Sequence, residues 1–302
     1  MASWLQHPRY VPLREGLIDH LRRTRYRFRK LDPVVFLCGG KGSKSRDALR
    51  DYLNKYSPAL DVFYAEPVWD NIAQLGQRDA LQMEADLAAL ADLIVIIVES
   101  VGTFTELGAF SLSPALRQKL LAVVDEQFEG NQSFISNGPL RWIDKESKFS
   151  PTIYAPLKSI LSAVDRIEER IGRIPKPESV RIEDLSTSPK HLLFFIVDLV
   201  SVIYSATIDI IAYYLNGIAP SILSSEINIP TLVGLAVAMN LLRKITSTNG
   251  EVYYAPADPT TVTRPFHHSR LLYLEGKRAE HASVLLTIPQ AKQALTLVAH
   301  VA

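Results

Sequence analysis

Two kinds of apolar pattern alternate between Pro33 and Val124. Short apolar runs, VVFLC (Val34–Cys38), LDVFY (Leu60–Tyr64), LIVIIV (Leu93–Val98) and KLLAVV (Lys119–Val124), have the length and β-branched content of buried strands. The stretches between them have a helical period. RDALRDYLNKY sets Leu49 and Leu53 four apart, ALQMEADLAALAD repeats its apolar positions at helical spacing, and FTELGAFSL predicts a short helix stopped by Pro114. Wholly apolar strands alternating with helices imply a parallel sheet covered on both faces, an α/β fold.

The pattern changes after that. Pro156–Gly172 predicts an amphipathic helix, and the following stretch mixes prolines with charged and small polar residues in the manner of a linker. Leu192–Leu215 is apolar enough to suggest a membrane span, but Asp198 and Asp209 interrupt it. A central Asp costs about 2.5–3.5 kcal/mol on insertion. Two buried helices joined near Ser205 are the expectation. A helix from Pro230 reaching to Ile245 is followed by TSTNGEVYYAP, where Asn249-Gly250 between β-prone residues signals a hairpin turn. Helices followed by a hairpin suggest a winged helix-turn-helix. The expected organisation is a basic segment over 1–30, an α/β domain over 31–172, a linker over 173–189 and a helical, winged-helix-like domain over 190–302. No internal repeat is visible.

Composition narrows the classes. The 302 residues are 47% hydrophobic and 22% charged, with net charge +1, so the total charge does not mark a polyanion-binding protein. Its distribution does. RRTRYRFRK (Arg22–Lys30) holds six basic residues around Tyr26 and Phe28. Guanidinium groups pair with phosphates, and interleaved aromatics can stack on unpaired bases. Arg22, Arg23, Arg25, Arg27, Arg29 and Lys30 are therefore candidate nucleic-acid contacts, with Arg243 and Lys244 beside the hairpin. The other reading is a solvated basic strand with its aromatics turned inward. Cys38, the single cysteine, ends an apolar run and reads as a small buried core residue. With no disulfide partner and no apolar signal segment near the start, a reducing, cytoplasmic setting is expected. The scattered His residues show no metal-ligand spacing.

In open α/β sheets ligands bind beyond the carboxyl ends of the strands. The first such end carries Gly39 and Gly40, with Lys41, Lys44 and Arg46 behind them. The second carries Glu66 and Trp69, and the third Glu99, Ser100, Gly102, Thr103 and Glu106. Thr103-x-x-Glu106 has the form of a capping box, which would give Glu106 a structural role. A carboxylate at a helix N-terminus is also kept ionised, the state a nucleophile needs.

FLCGG, ES-x-GTFTELGAFS, RQKLLAVVDEQF and SFISNGPLR recur in the order in which they occur in bacterial retron effectors with a nucleoside-deoxyribosyltransferase-like domain. The chain resembles that family over Phe36–Arg141. The resemblance implies a flavodoxin-like α/β domain and a C-terminal winged-helix-like DNA-binding domain. It implies a toxin of an anti-phage system, associated with a reverse transcriptase and with its RNA–DNA product, msDNA with its msrRNA. It also implies that Glu106, in Gly102-Thr103-Phe104-Thr105-Glu106-Leu107-Gly108, attacks the anomeric carbon of a nucleoside. Ser100 stands where the transferases carry an Asp that holds sugar hydroxyls, which points to cleavage of an N-glycosidic bond rather than transfer between bases. Asn137, in Ser136-Asn137-Gly138-Pro139, matches a segment that reaches a neighbouring active site, so a homo-oligomer or higher-order assembly is expected.

The candidate substrates are NAD and related nucleotides, with no separate cofactor. Nicotinamide leaves NAD neutral and needs no proton, whereas a purine base needs an acid, for which Glu66 and Glu84 are the candidates. The alternative is a catalytically inactive nucleotide-sensing domain coupled to a DNA-binding regulator. Base release by the purified protein separates the two.

Overall fold

In the computed structural model the described residues are 3–23, 27–30, 32–64, 85–86, 88–176, 179–222, 227–257, 266–267 and 271–300. They form two compact units, one of residues 32–177 and one made jointly by 1–31 and 178–302. A 3-10 turn, Ser3–Gln6, is followed by α1 (Val11–Arg23) and β1 (Arg27–Lys30), all in the joint unit.

The unit of 32–177 holds β2 (Val34–Cys38), α2 (Lys44–Tyr56), β3 (Asp61–Phe63), β4 (Leu93–Val98), α3 (Val101–Leu112), α4 (Pro114–Arg117), β5 (Leu120–Asp125), α5 (Arg141–Glu146), β6 (Ile153–Ala155) and α6 (Val164–Ile171). Its five strands lie in the order β3-β2-β4-β5-β6, all parallel. Every residue of β2 and β4 is buried, because layers cover both faces of the sheet. On one face Leu49 and Leu53 of α2 join Ile160, Ala163 and Ile167 from the segment after β6. They pack on Val35, Leu37, Val95, Ile97 and Val123. The α/β expectation holds, and the strand order is that of a flavodoxin-like sheet.

Two details differ from the expectation. β6 is an edge strand of three residues, too short to leave an apolar run. The helix expected over Pro156–Gly172 starts as a 3-10 turn, Leu157–Ala163, with Ser159 in a non-helical conformation, and only Val164–Ile171 is α-helical.

The joint unit continues with β7 (Ser179–Arg181), α7 (Pro189–Ile203), α8 (Ile208–Ile218), α9 (Ile229–Ala238), β8 (Leu242–Thr246), β9 (Val252–Pro256), β10 (Phe266–His267), α10 (Leu271–Leu285) and α11 (Pro289–His300). The apolar stretch 192–215 is two helices broken at Tyr204, which has φ 68°. Among the described residues no helix is long and apolar enough to cross a membrane. β8 and β9 form the expected antiparallel hairpin, with Gly250 at φ +83° in its turn. Leu242–Thr246 is strand, not the tail of the preceding helix. That helix ends at Ala238, and Asn240 at φ 54° turns the chain into β8. Within 173–189, β7 and the 3-10 turn Ile182–Thr187 are ordered structure, and Ile182 and Leu185 are buried.

β1 is the central strand of a second sheet, β10-β1-β7, antiparallel throughout. The N-terminal segments are also tied in by side chains. Trp4 stacks on Tyr253, and the buried Tyr10 hydroxyl hydrogen-bonds to that of Tyr214 at 2.8 Å, with His281 Nδ1 at 3.3 Å from Tyr10.

Candidate active site at the sheet reversal

From β2 the chain runs outward to β3, then returns to the other side of β2 to form β4. Where the strand order reverses, an open α/β sheet leaves a crevice beyond the carboxyl ends of the two strands. Here those ends carry Gly39 and Gly40 after β2, and Glu99 and Ser100 after β4.

These two ends are joined. The Gly40 amide donates to Glu99 Oε1 at 3.1 Å. A Cβ on Gly40 would lie 3.3 Å from both Cβ and Oγ of Ser100, so the bare backbone is what allows this approach. At Gly39 a Cβ would lie 2.8 Å from Cβ of Arg46. Arg46 is 4% exposed, and its Nη1 donates to the Gly39 carbonyl at 3.4 Å while its guanidinium lies 4.5 Å over the Tyr64 ring. It therefore braces the glycine loop from beneath. The exposed cations of this loop are Lys41 and Lys44, beside the start of α2, where Ser43 caps the Arg46 amide at 3.0 Å.

The start of α3 corrects the expected cap. Ser100 is the N-cap, with extended backbone, and Thr103 is the N3 residue. Ser100 Oγ accepts the Thr103 amide at 3.3 Å, and Thr103 Oγ1 accepts the amides of Ser100 at 2.9 Å and Glu99 at 3.0 Å. The helix thus begins three residues before the Thr103-x-x-Glu106 pattern would start it. The reason is local. β4 ends at Val98, and Ser100 is as good an N-cap as Thr103, so the earlier residue takes the position.

Glu106 is consequently not a capping residue. It lies in the second turn of α3, beyond the first turn where the helix dipole acts most strongly on a carboxylate. It stands three residues after Thr103 and four before Phe110, both on the buried face of the helix. The residue is half-buried, and its Oε2 is shielded from solvent. Carboxylates seldom occupy a core-facing stripe, and one placed there is a candidate for chemistry.

Gly102 is exposed on the first turn of α3, with Ser100 Oγ 3.7 Å from the position its Cβ would take. Asn137 is exposed too, its Nδ2 donating to Gln132 Oε1 at 3.1 Å, on the segment Ser136–Leu140 that packs against α3. Gly39, Gly40, Arg46, Glu99, Ser100 and Thr103 are brought together directly, with Glu106 one turn along the same helix. Glu66, Trp69, Glu84 and Arg25 lie outside the described residues. Arg243 and Lys244 are on β8, half-buried and engaged within the chain.

Sequence reasoning missed Tyr64 and Arg50. The Arg50 Nη1 donates to the Tyr64 hydroxyl at 2.7 Å, so Tyr64 meets two guanidinium groups just past β3. The signal was available: Arg46 and Arg50 are four apart on one helix face, and Tyr64 ends the second apolar run. A separate cavity of about 610 Å³ lies between the start of α2 and the 157–163 turn, lined by Lys44, Ser45, Ala48, Lys158 and Ile160 among others.

Comparison with known proteins covers most of the chain. The candidate ribosyltransferase/DNA-binding protein of retron Ec86 from Escherichia coli is 40% identical over 136 residues, covering 43% of this chain and 44% of that protein. This chain thus spans under half the length of that relative. The corresponding protein of retron Ec73, also from Escherichia coli, is 31% identical over 250 residues, 73% of this chain and 76% of that relative. The family described as STM3845 retron effector protein matches residues 42–244, from just after Gly39 and Gly40 through β4 and α3 and on into β8. On that match and the Ec73 similarity, the chain belongs to the STM3845 retron effector family.

Proposed function

We propose that this retron effector cleaves the N-glycosidic bond of a nucleotide, NAD or a related one, with Glu106 as the nucleophile. The observation that carries the reading is the position of Glu106. It is a half-buried carboxylate on α3, between the buried Thr103 and Phe110 in helical register, and the capping role is filled by Ser100 and Thr103. The ribosyltransferase wording in the names of both relatives supports it.

In this reading a Glu106 oxygen forms an ester bond to the anomeric carbon as the bond from that carbon to nitrogen breaks, its electron pair leaving with the base. Water then hydrolyses the ester, giving a sugar C1 hydroxyl and restoring the carboxylate, as in retaining glycosidases. Loss of nicotinamide from NAD converts a cationic ring to a neutral one, so no proton donor is needed. The exposed Lys41 and Lys44, beside the start of α2, suit the phosphates of such a substrate. Ser100, smaller than the Asp of the transferases, leaves room beside them.

Restraint of the toxin by a reverse transcriptase and msDNA, and a winged-helix-like role for the helices and hairpin of the joint unit, complete the proposal. Incubating the purified protein with NAD and with ribo- and deoxyribonucleotides, and measuring free base by chromatography, tests it. Release of nicotinamide or a nucleobase is the expected result. Binding without any release would favour a nucleotide sensor.

A further inference from the structure

The nucleic-acid part of that reading has no surface attached to it. The basic residues of the hairpin, Arg243 and Lys244, are half-buried and engaged within the chain. The sheet β10-β1-β7 offers another place, built from three distant parts of the chain.

Its register is fixed by backbone pairing. Arg27 stands opposite Arg181, Phe28 opposite Val180, and Arg29 opposite both Ser179 and His267, while Lys30 stands opposite Phe266. Residues directly opposed across a sheet share a face, and successive residues alternate between faces. One face therefore carries Arg27, Arg29, Arg181, Ser179 and His267. The other carries Phe28, Val180, Phe266 and Lys30. The helix α7 packs on this sheet through β1 and β10, and ten of its residues are buried apolar side chains. The described residues of β7 tell the two faces apart: Val180 is half-buried, and the Arg181 side chain is 57% exposed, so the face that holds Arg181 is the one open to solvent.

Like charges directly opposite each other destabilise a sheet. The Arg27–Arg181 register is such a placement, and it calls for an anion. Glu183 and Asp184 supply part of the charge, each pairing with Arg181 at 2.7 Å. These pairs are exposed, and exposed pairs contribute only about 0–1 kcal/mol, so phosphates can exchange with them. Along β1 the two arginines are about 7 Å apart, and the neighbouring strands are about 5 Å to either side. Cations spread over that area match a series of phosphates better than a single anion.

We infer that the face of β10-β1-β7 bearing Arg27, Arg29, Arg181 and His267 is the binding surface for a nucleic-acid backbone. Arg181 is a contact residue of that surface, far in sequence from the basic segment.

The test uses the full chain, a labelled single-stranded DNA oligonucleotide and an RNA–DNA hybrid, each titrated over a salt series. Arg181→Ala should weaken binding several-fold and lower the log–log salt slope by about 0.7–0.9, as expected for one lost phosphate contact. Arg181→Glu should weaken it further, and adding Arg27→Ala and Arg29→Ala should lower the slope by a corresponding step each. Arg173→Ala, at an arginine of the other unit whose side chain is 37% exposed, should leave both unchanged. If the wild type binds and Arg181→Ala and Arg181→Glu bind equally well with the same slope, the surface is wrongly assigned and the nucleic-acid reading survives. If the wild type binds neither probe, both fail. Base release is unaffected by either outcome, so failure of the enzymatic reading is seen separately.

Discussion

Gly40 and Glu99 hold the ends of β2 and β4 together, the Gly40 amide donating to the Glu99 carboxylate at 3.1 Å across the sheet reversal. A hydrogen bond to an ionised acceptor contributes about 1.5–3 kcal/mol. Glu99→Ala should therefore destabilise the α/β unit by about 1–2 kcal/mol and speed hydrogen exchange at the Gly40 amide. An unchanged exchange rate at Gly40 would show that Glu99 does not hold the loop.

The two glycines should differ in tolerance. A methyl group at Gly39 meets the stem of Arg46 at 2.8 Å, close to that residue's backbone, whereas at Gly40 it meets Ser100 at 3.3 Å. Overpacking of this kind costs about 1–3 kcal/mol. Gly39→Ala should lower the urea midpoint more than Gly40→Ala. The reverse order would mean that Arg46 moves aside more readily than the start of α3.

The buried group around His281 gives a pH dependence. Burial pushes the His281 imidazole down to about 4 from 6.5 and the Tyr10 hydroxyl up to about 12, and Tyr214 is raised for the same reason. The imidazole is neutral in the fold, while the unfolded chain takes up its proton near pH 6.5. Its contribution is thus fully present above pH 6.5 and is lost as pH falls towards 4, by roughly 3 kcal/mol. The tyrosines act at the other end, their contribution being lost as pH rises from about 10 through 12. Hydrogen exchange of α10 against pH should show the acid slope in the wild type and a shallower one in His281→Phe. Equal slopes would place the acid sensitivity elsewhere.

The α/β unit was legible where burial on both faces left uninterrupted apolar runs, as in VVFLC and LIVIIV. Much of the rest depends on pairings the local sequence does not encode. Ile153–Ala155 is a strand only because β5 offers an edge, and Arg27–Lys30 finds its partners about 150 and 240 residues away. Leu242–Thr246 continues the apolar spacing of the helix before it, so periodicity alone could not separate them. At the site, the glycines, Glu99, Ser100 and Glu106 could be picked out as strand-end residues. The cap could not be assigned, because Ser100 and Thr103 both suit an N-cap, and only the end of β4 decides between them.

That cap carries its own prediction. Thr103 is 1% exposed, and its hydroxyl bonds the amides of Ser100 and Glu99. Thr103→Val keeps the shape and removes those bonds, so thermal stability should fall by about 0.5–2 kcal/mol, the usual range for losing a cap. Glu106→Gln should fall by less. If the two substitutions destabilise equally, Glu106 contributes to the helix start after all.

The most direct test of the enzymatic account is base release by Glu106→Gln, measured beside the wild type on NAD and on nucleotides, with thermal melting of both proteins. Gln matches Glu in size, and Glu106 does not cap α3, so the fold should be kept. The amide can neither attack the anomeric carbon nor stabilise a cationic transition state. A wild type that releases nicotinamide or a nucleobase, and a folded Glu106→Gln protein slower by orders of magnitude, is the expected result. Near-normal release by the folded variant would contradict the account.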